Sequence, residues 1–356
     1  MLVPAHPVWL LDDGDVKARV EISKRFLKAI AGSLIGIETI QRGESLTKAK
    51  LRVQAIKTRE IQKDMANVGA EVVMSVHAPY TPIGKYDLAS ISEDTRDYTM
   101  DALAKCVELA EIIGAKVVNA HLGGIIAATH RGDLRSLEIK RAAMERVGNS
   151  LVDLTSRIEG RDVVLAIENI PYPLEETPMY SPLLGIFPAD FLEVLRAVGS
   201  KNLGVTIDFC HLWISHKSMK ELVKSMGACG PSAKSVADDY QDLTLYEMNE
   251  IRSLADRAFD SFVERLKGEV VHVHAADSDG IYVPTKSRVS EGKALGEGDL
   301  DLESFAASLK NINACPTRFG YRMVVIEPKE ADLSKPMNSL KSMLRLVDLI
   351  KKKIKG

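Results

Sequence analysis

The chain has few cysteines and no close pair of them. Cys106, Cys210, Cys229 and Cys315 stand far apart with no Cys-x-x-Cys, which reads as free thiols in a reducing, cytoplasmic compartment. An excess of one charge is also missing. Lys and Arg number 47 against 49 Asp and Glu, a formal net charge of −2, so no global basic surface advertises nucleic acid. Net charge still leaves room for a local basic crescent. The apolar Met1–Leu11 segment lacks a basic start and is too short to span a bilayer, so neither a signal peptide nor a membrane partner is expected. No Gly-x-Gly-x-x-Gly follows a strand, which leaves a dinucleotide-binding fold without support. There is no internal repeat and no domain linker, so residues 1–356 are expected to form one domain.

What is present is alternation. With 356 residues, 46% hydrophobic and 27% charged, the chain is ample for one sizeable core. Apolar runs at 2–11, 34–40, 71–77, 115–121, 162–168, 203–208, 269–274 and 321–327 read as strands. Helical patterns separate them, the first capped by Asp15, the second by Ser45 or Thr47, and a late one running from Leu243 to Leu266. A Gly-, Ser- and Pro-rich stretch near 229–245 reads as an insertion. Strand and helix alternating eight times predict an α/β fold of the (β/α)8 TIM-barrel type.

The ends of the strands carry the chemistry. Six apolar runs finish on a metal-capable side chain: His77, His121, Glu168, Asp208, His274 and Glu327. An acid at the end of a buried strand is costly unless it is paired or bound to a metal. All six lie at C-terminal strand ends, which in a barrel face one common mouth. The competing reading is a set of ordinary core polar groups and ion pairs, but no strand ends on a Lys or Arg that would partner them. Three imidazoles and three carboxylates form a ligand mix for zinc, manganese or iron rather than calcium. With Glu168 as bridge they suit one or two ions, a pair lying about 3.5–4 Å apart. His272 shares a strand face with His274 and is expected to play a supporting role. His211, three residues past Asp208, is open between ligand, substrate contact and general acid.

At these positions the chain resembles endonuclease IV (AP endonuclease family 2) and its relatives in the xylose-isomerase-like barrel superfamily. The matching segments are Val76-His77-Ala78-Pro79-Tyr80, His121-Leu122-Gly123-Gly124, Ala166-Ile167-Glu168-Asn169, Ile207-Asp208-Phe209-Cys210-His211, His274-Ala275-Ala276-Asp277-Ser278, Leu295-Gly296-Glu297-Gly298 and Val325-Ile326-Glu327-Pro328. The resemblance carries a two-metal cluster onto the same six residues. It implies a third zinc on the histidine matching His211, with an Asp-x-His before the Gly-x-Gly. Here those two ligands are replaced by Ser290 and Gly292. Lys286, Arg288 and Lys293 crowd the same loop and offer positive charge to a phosphate instead.

Two enzymatic readings follow. The first is a phosphoester hydrolase with two divalent ions, zinc or manganese, at its most specific acting on abasic-site DNA; Tyr80 resembles a DNA-contacting aromatic of the family. The second is a sugar or sugar-phosphate isomerase or epimerase with one metal on Glu168, Asp208, His274 and Glu327. There Glu168 and Glu327 exchange protons with carbons beside a carbonyl, and His211 holds the substrate. The candidate substrate contacts are His211, Tyr80 and Lys293, with His211 the one the isomerase reading uses. A third reading is a non-catalytic binding module, which intact ligands at all six positions disfavour. The sequence reading leans to the hydrolase, because His77 and His121 are both intact.

Overall fold

Apolar β-branched runs bounded by turns and caps become strands, and the charged amphipathic segments between them become the helices that cover them. The computed structural model describes every residue except 125–136, 174–181, 229–244, 284–287 and 355–356. The insertion read near 229–245 therefore lies, but for Leu245, outside the described residues, as do Cys229 and Lys286.

Eight parallel strands close a barrel: β1 (Leu2–Val8), β2 (Leu34–Ile40), β3 (Glu71–His77), β4 (Val117–His121), β5 (Val164–Glu168), β6 (Leu203–Asp208), β7 (Val270–Ala275) and β10 (Arg322–Ile326). Their order around the barrel is β1-β10-β7-β6-β5-β4-β3-β2. A short antiparallel hairpin, β8 (Tyr282–Val283) with β9 (Arg288–Val289), stands in the loop after β7. The TIM barrel expected from the alternation is what the chain forms. Among the described residues no helix is long and apolar enough to cross a membrane, and Cys106, Cys210 and Cys315 are free thiols.

Helices α1 (Asp13–Ile30), α2 (Lys48–Ala66), α3 (Glu93–Ile113), α4 (Leu137–Arg157) and α5 (Pro188–Val198) follow the first five strands. After β6 come α6 (Phe209–Ala228), α7 (Leu245–Asp256) and α8 (Asp260–Leu266), and α9 (Leu302–Ala314) and α10 (Met337–Ile354) complete the ring.

Three details depart from the sequence reading. Asp12, not Asp15, caps α1, accepting from the amides of Gly14 and Asp15. Asp15 instead accepts from the Trp9 amide at 2.8 Å and pairs with Arg19 at 3.1 Å. The helix after β6 begins at Phe209, not Ser215, because Asp208 itself caps it, its Oδ1 accepting from the His211 amide at 3.0 Å. The long helix read from Leu243 to Leu266 is broken into α7 and α8. The break turns Phe259 inward, where its ring packs 5.1 Å from that of Phe209. No glycine or proline marks the break, so periodicity alone continues through it.

The floor of the barrel is apolar. Ala5, Met323 and Val325 form their own apolar cluster there. Gly36 on β2 belongs to this layer, since a Cβ at that position would meet the Ala5 Cβ at 2.6 Å. Two residues on, and so on the same face of the strand, stands Glu38.

Candidate metal centre

Side chains alternate along a strand, so the inward residues stack in layers up the barrel. The top layer holds the residues expected from the strand ends. His77, Glu168, Asp208 and His274 are buried, and Glu327, one residue past β10, keeps its side chain 26% exposed. Two of their contacts, His274 with Glu168 and His77 with Glu168, each skip one strand and so run across the mouth. His274 Nδ1 lies 3.1 Å from Glu168 Oε1 and 3.2 Å from Glu327 Oε2. On the other side of the same carboxylate, His77 Nε2 and His121 Nε2 each lie 3.6 Å from Glu168 Oε2. Asn119 donates its side-chain amide to that oxygen. Donor atoms of Asp208, His274 and Glu327 lie within 4.8 Å of one another, as do those of Glu168, Asp208 and His211 and those of His77, Glu168 and His274.

The protonation pattern follows from burial and these neighbours. Burial pushes the Asp208 carboxyl up to about 6, with the charges of Glu168 and Glu327 working in the same direction. Burial also works to raise Glu168, but the charge of His274 and its hydrogen bond outweigh it and hold the group well below its ordinary value. Burial lowers His121 to about 3, so its ring is neutral. Three carboxylates and an imidazole nitrogen crowded together, one acid forced toward protonation, suit a divalent cation, whose charge would offset both the burial and the repulsion that raise Asp208. The residues present therefore fit a metal ion of the zinc, manganese or iron class.

His211 sits in the first turn of α6, buried, with both ring nitrogens engaged. Nδ1 lies 2.8 Å from the Asn169 carbonyl, which only accepts, so Nδ1 carries a hydrogen. Nε2 lies 3.3 Å from Glu291 Oε1. Burial disfavours charge on this ring, yet Asp208 and Glu291 more than offset it and lift the group to about 10. An imidazolium held by a carboxylate thus stands beside Ser290 and Gly292, the two positions where the resemblance expected metal ligands. Asn169 is equally built in. Its Oδ1 accepts from the Asp208 amide at 2.8 Å and its Nδ2 donates to the Asp208 carbonyl at 3.0 Å.

Tyr80 covers the His77 side, its ring 5.0 Å from His121 and 5.2 Å from His77, and burial raises its hydroxyl to about 12. Lys293 is not brought into the cluster. Its ammonium is held by both oxygens of Asp279, at 2.6 and 2.7 Å, while its backbone pairs with Asp277. Arg288 lies exposed in the hairpin.

One layer below, the sequence reading missed a residue. Glu38 on β2, fully buried, faces His272 Nε2 at 2.8 Å and His274 Nε2 at 2.9 Å, and accepts from Ser75 Oγ at 2.9 Å. Burial favours the neutral acid, but the charges of His274 and His272 prevail and keep Glu38 well below its ordinary value. Its signal in the sequence is faint: an acid in mid-strand, where a buried position expects an apolar residue.

Known proteins share this architecture. The structure of a D-tagatose 3-epimerase-like protein aligns with a TM-score of 0.59 at 18% identity, covering 99% of both chains. That of an L-ribulose 3-epimerase aligns at 0.60 with 13% identity, over 100% of this chain and 96% of that one. D-psicose 3-epimerase of Clostridium cellulolyticum H10, with D-tagatose, aligns at 0.55 with 10% identity over 98% of each chain. Identities this low establish the shared fold alone. In sequence, Uncharacterized protein MJ1311 of Methanocaldococcus jannaschii is 26% identical over 283 residues, 78% of this chain and 72% of that protein. The family model described as Xylose isomerase-like TIM barrel matches residues 31–343. With that match spanning most of the barrel, the chain belongs to the xylose isomerase-like TIM-barrel family.

Proposed function

We propose that the chain is a divalent-metal-dependent isomerase or epimerase of a sugar or sugar phosphate. The observation that carries this is the placement of Glu168 and Glu327 on the same imidazole nitrogen, at 3.1 and 3.2 Å from His274 Nδ1, with Asp208 beside them. Glu168, Asp208, His274 and Glu327 would hold the ion. When bound, it supplies positive charge to the carbonyl and neighbouring hydroxyl oxygens of a ketose, which acidifies the adjacent C–H.

The residues do the rest. One of the two glutamates takes the proton from the carbon beside the carbonyl, and the C–H electron pair moves into an enediolate. The other glutamate, which carries a proton at the start of the step, delivers it to the opposite face, inverting the centre and leaving the protonation of the two carboxyls exchanged. The neighbouring imidazoles keep Glu168 ionised and thus fit to act as a base. His211, already committed on both nitrogens, presents fixed positive charge to a substrate oxygen. Tyr80 offers an aromatic wall to the apolar face of a sugar. That the structures of several sugar epimerases share this fold from end to end supports the reading.

The test is proton exchange. Purified protein reconstituted with manganese or zinc is incubated in D2O with D-tagatose, D-psicose, L-ribulose and phosphorylated ketoses, and deuterium beside the carbonyl is followed by NMR. Exchange that EDTA abolishes and metal restores is the expected result. Metal-loaded protein that exchanges none of the panel counts against the reading.

A second reading, the two-metal phosphoester hydrolase with abasic-site DNA as its most specific substrate, draws on one observation. His77 Nδ1 lies 2.7 Å from the Ala78 carbonyl and must donate to it. Nε2 then faces Glu168 Oε2 at 3.6 Å, a separation that leaves space for a group bridging the nitrogen and the oxygen. A second metal would satisfy them, and so would a sugar hydroxyl. Two tightly bound ions per chain and nicking of duplex DNA at an abasic site would favour the hydrolase.

A further inference from the structure

The interior of a TIM barrel is ordinarily filled by layers of branched apolar side chains. Here the apolar floor of Ala5, Met323 and Val325 gives way, beneath the top layer, to Glu38, Ser75 and His272. β2 and β7 are separated in the barrel by β1 and β10, so the contacts from Glu38 to His272 and His274 span the interior. A fully buried carboxylate in such a place is costly and needs a reason.

The His274 ring bridges the two layers. Nδ1 faces upward into the carboxylates of Glu168 and Glu327, and Nε2 faces Glu38 Oε1 at 2.9 Å. Among the described residues, Nε2 and Oε1 have no hydrogen-bond partner, and each is the other's ion-pair neighbour at 2.9 Å. Glu38 Oε2 is itself anchored, by His272 Nε2 at 2.8 Å and Ser75 Oγ at 2.9 Å. Donor atoms of Glu38, His272 and His274 lie within 4.8 Å of one another, and Glu38 gives one oxygen to each imidazole, the arrangement by which a carboxylate supports ligand histidines.

We infer that Glu38, anchored by His272 and Ser75, is a positioning residue that fixes His274 in the tautomer with Nε2 protonated and Nδ1 free to bind a cation. A neutral imidazole has one donor nitrogen and one acceptor nitrogen. A carboxylate at Nε2 holds the hydrogen there and orients the ring. It also makes Nδ1 a stronger donor to a metal. The inference rests on the metal-site reading, not on the identity of the substrate.

The test uses the full chain, stripped of metal and labelled with 15N-histidine, with zinc or manganese as the probe. Long-range 1H–15N spectra of the zinc-loaded protein are expected to show His274 bound through Nδ1 and protonated at Nε2. Manganese affinity, measured by titration with EPR detection of the free ion, is expected to fall about 10–100-fold in Glu38→Gln. Glu38→Asp is expected to recover part of that loss. Zinc on His274 Nε2, or a Glu38→Gln protein that binds manganese as tightly as the parent, overturns the inference. Should Glu38→Gln fail to fold, the spectrum of the parent protein decides the matter. A parent protein that takes up neither metal defeats the metal-site reading itself, an outcome distinct from a bound ion on the wrong nitrogen.

Discussion

The two oxygens of Glu168 look onto two differently built halves of the mouth. On the Oε1 side stand His274, Asp208, Glu327 and the charged pair His211–Glu291. On the Oε2 side stand His77, His121, Asn119 and the ring of Tyr80. The first half gathers two further carboxylates around one imidazole nitrogen, and an acid there is pushed toward protonation. The second half adds no acid to Glu168, and its His121 is neutral. Both halves contain ligand-type residues, yet the acid pushed toward protonation, which a cation would relieve, stands in the first. A count of histidines and acids does not distinguish them; their charge balance does.

The largest expected effect falls on the acidic half. Glu327→Gln should reduce proton exchange on a responsive ketose by about 10²–10⁴-fold, the usual share of a general acid–base group. Because Glu327 is also one of the residues that would hold the ion, exchange is compared at manganese concentrations that saturate both proteins. Equal activity in this variant would break the proposed division of labour. The paired change His77→Ala with His121→Ala probes the other half. If those histidines meet substrate hydroxyls, one ion per chain remains and exchange falls by about tenfold, the scale of one or two hydrogen bonds. A drop from two ions to one would instead move the molecule toward the hydrolase.

A smaller effect is expected from Glu291→Gln, which leaves His211 one charged partner fewer. The Michaelis constant should rise by about tenfold or less, with turnover little changed. A large fall in turnover with no change in that constant would contradict a substrate-holding role for the pair.

Away from the mouth, a buried histidine responds to pH without any metal. His6 on β1 is buried against Ser23 of α1, its Nε2 2.8 Å from the hydroxyl, and burial, with Arg19 adding, lowers it to about 3. The unfolded chain binds a proton near 6.5, whereas the folded chain resists it. The stabilising contribution is therefore complete above pH 6.5 and is lost as the pH falls from there toward 3, by at most about 1.4 kcal/mol per unit. Urea unfolding at a series of pH values should show this slope reduced in His6→Gln. An identical slope would remove His6 from the account.

Much of the centre was legible because its residues close apolar runs. His77, His121, Glu168, Asp208 and His274 each end or nearly end a strand, and Glu327 follows one directly, so a barrel assumption alone brings them together. Glu38 was not legible. It sits in mid-strand, within Leu34–Ile40, and its meaning comes from His272 and His274, which lie 234 residues and more away along the chain. Glu291 was hidden for a related reason: the loop that carries it has no period, and only its neighbours Ser290 and Gly292 stand at the motif positions. Lys293 was chosen for its charge, but Asp279 is close enough to hold it. Local pattern reports which residues finish a strand; partners drawn from opposite walls of a barrel leave no such mark.

Asn169 carries a consequence of its own. By accepting from the Asp208 amide and donating to its carbonyl, it completes the β5–β6 seam with a side chain where a backbone ladder would otherwise run. The Asp208 carboxylate in turn holds the His211 amide. Slow hydrogen exchange at those two amides would thus depend on side chains at the rim. Their deuterium uptake serves as a clock for opening of the mouth, separate from the clock for unfolding of the barrel.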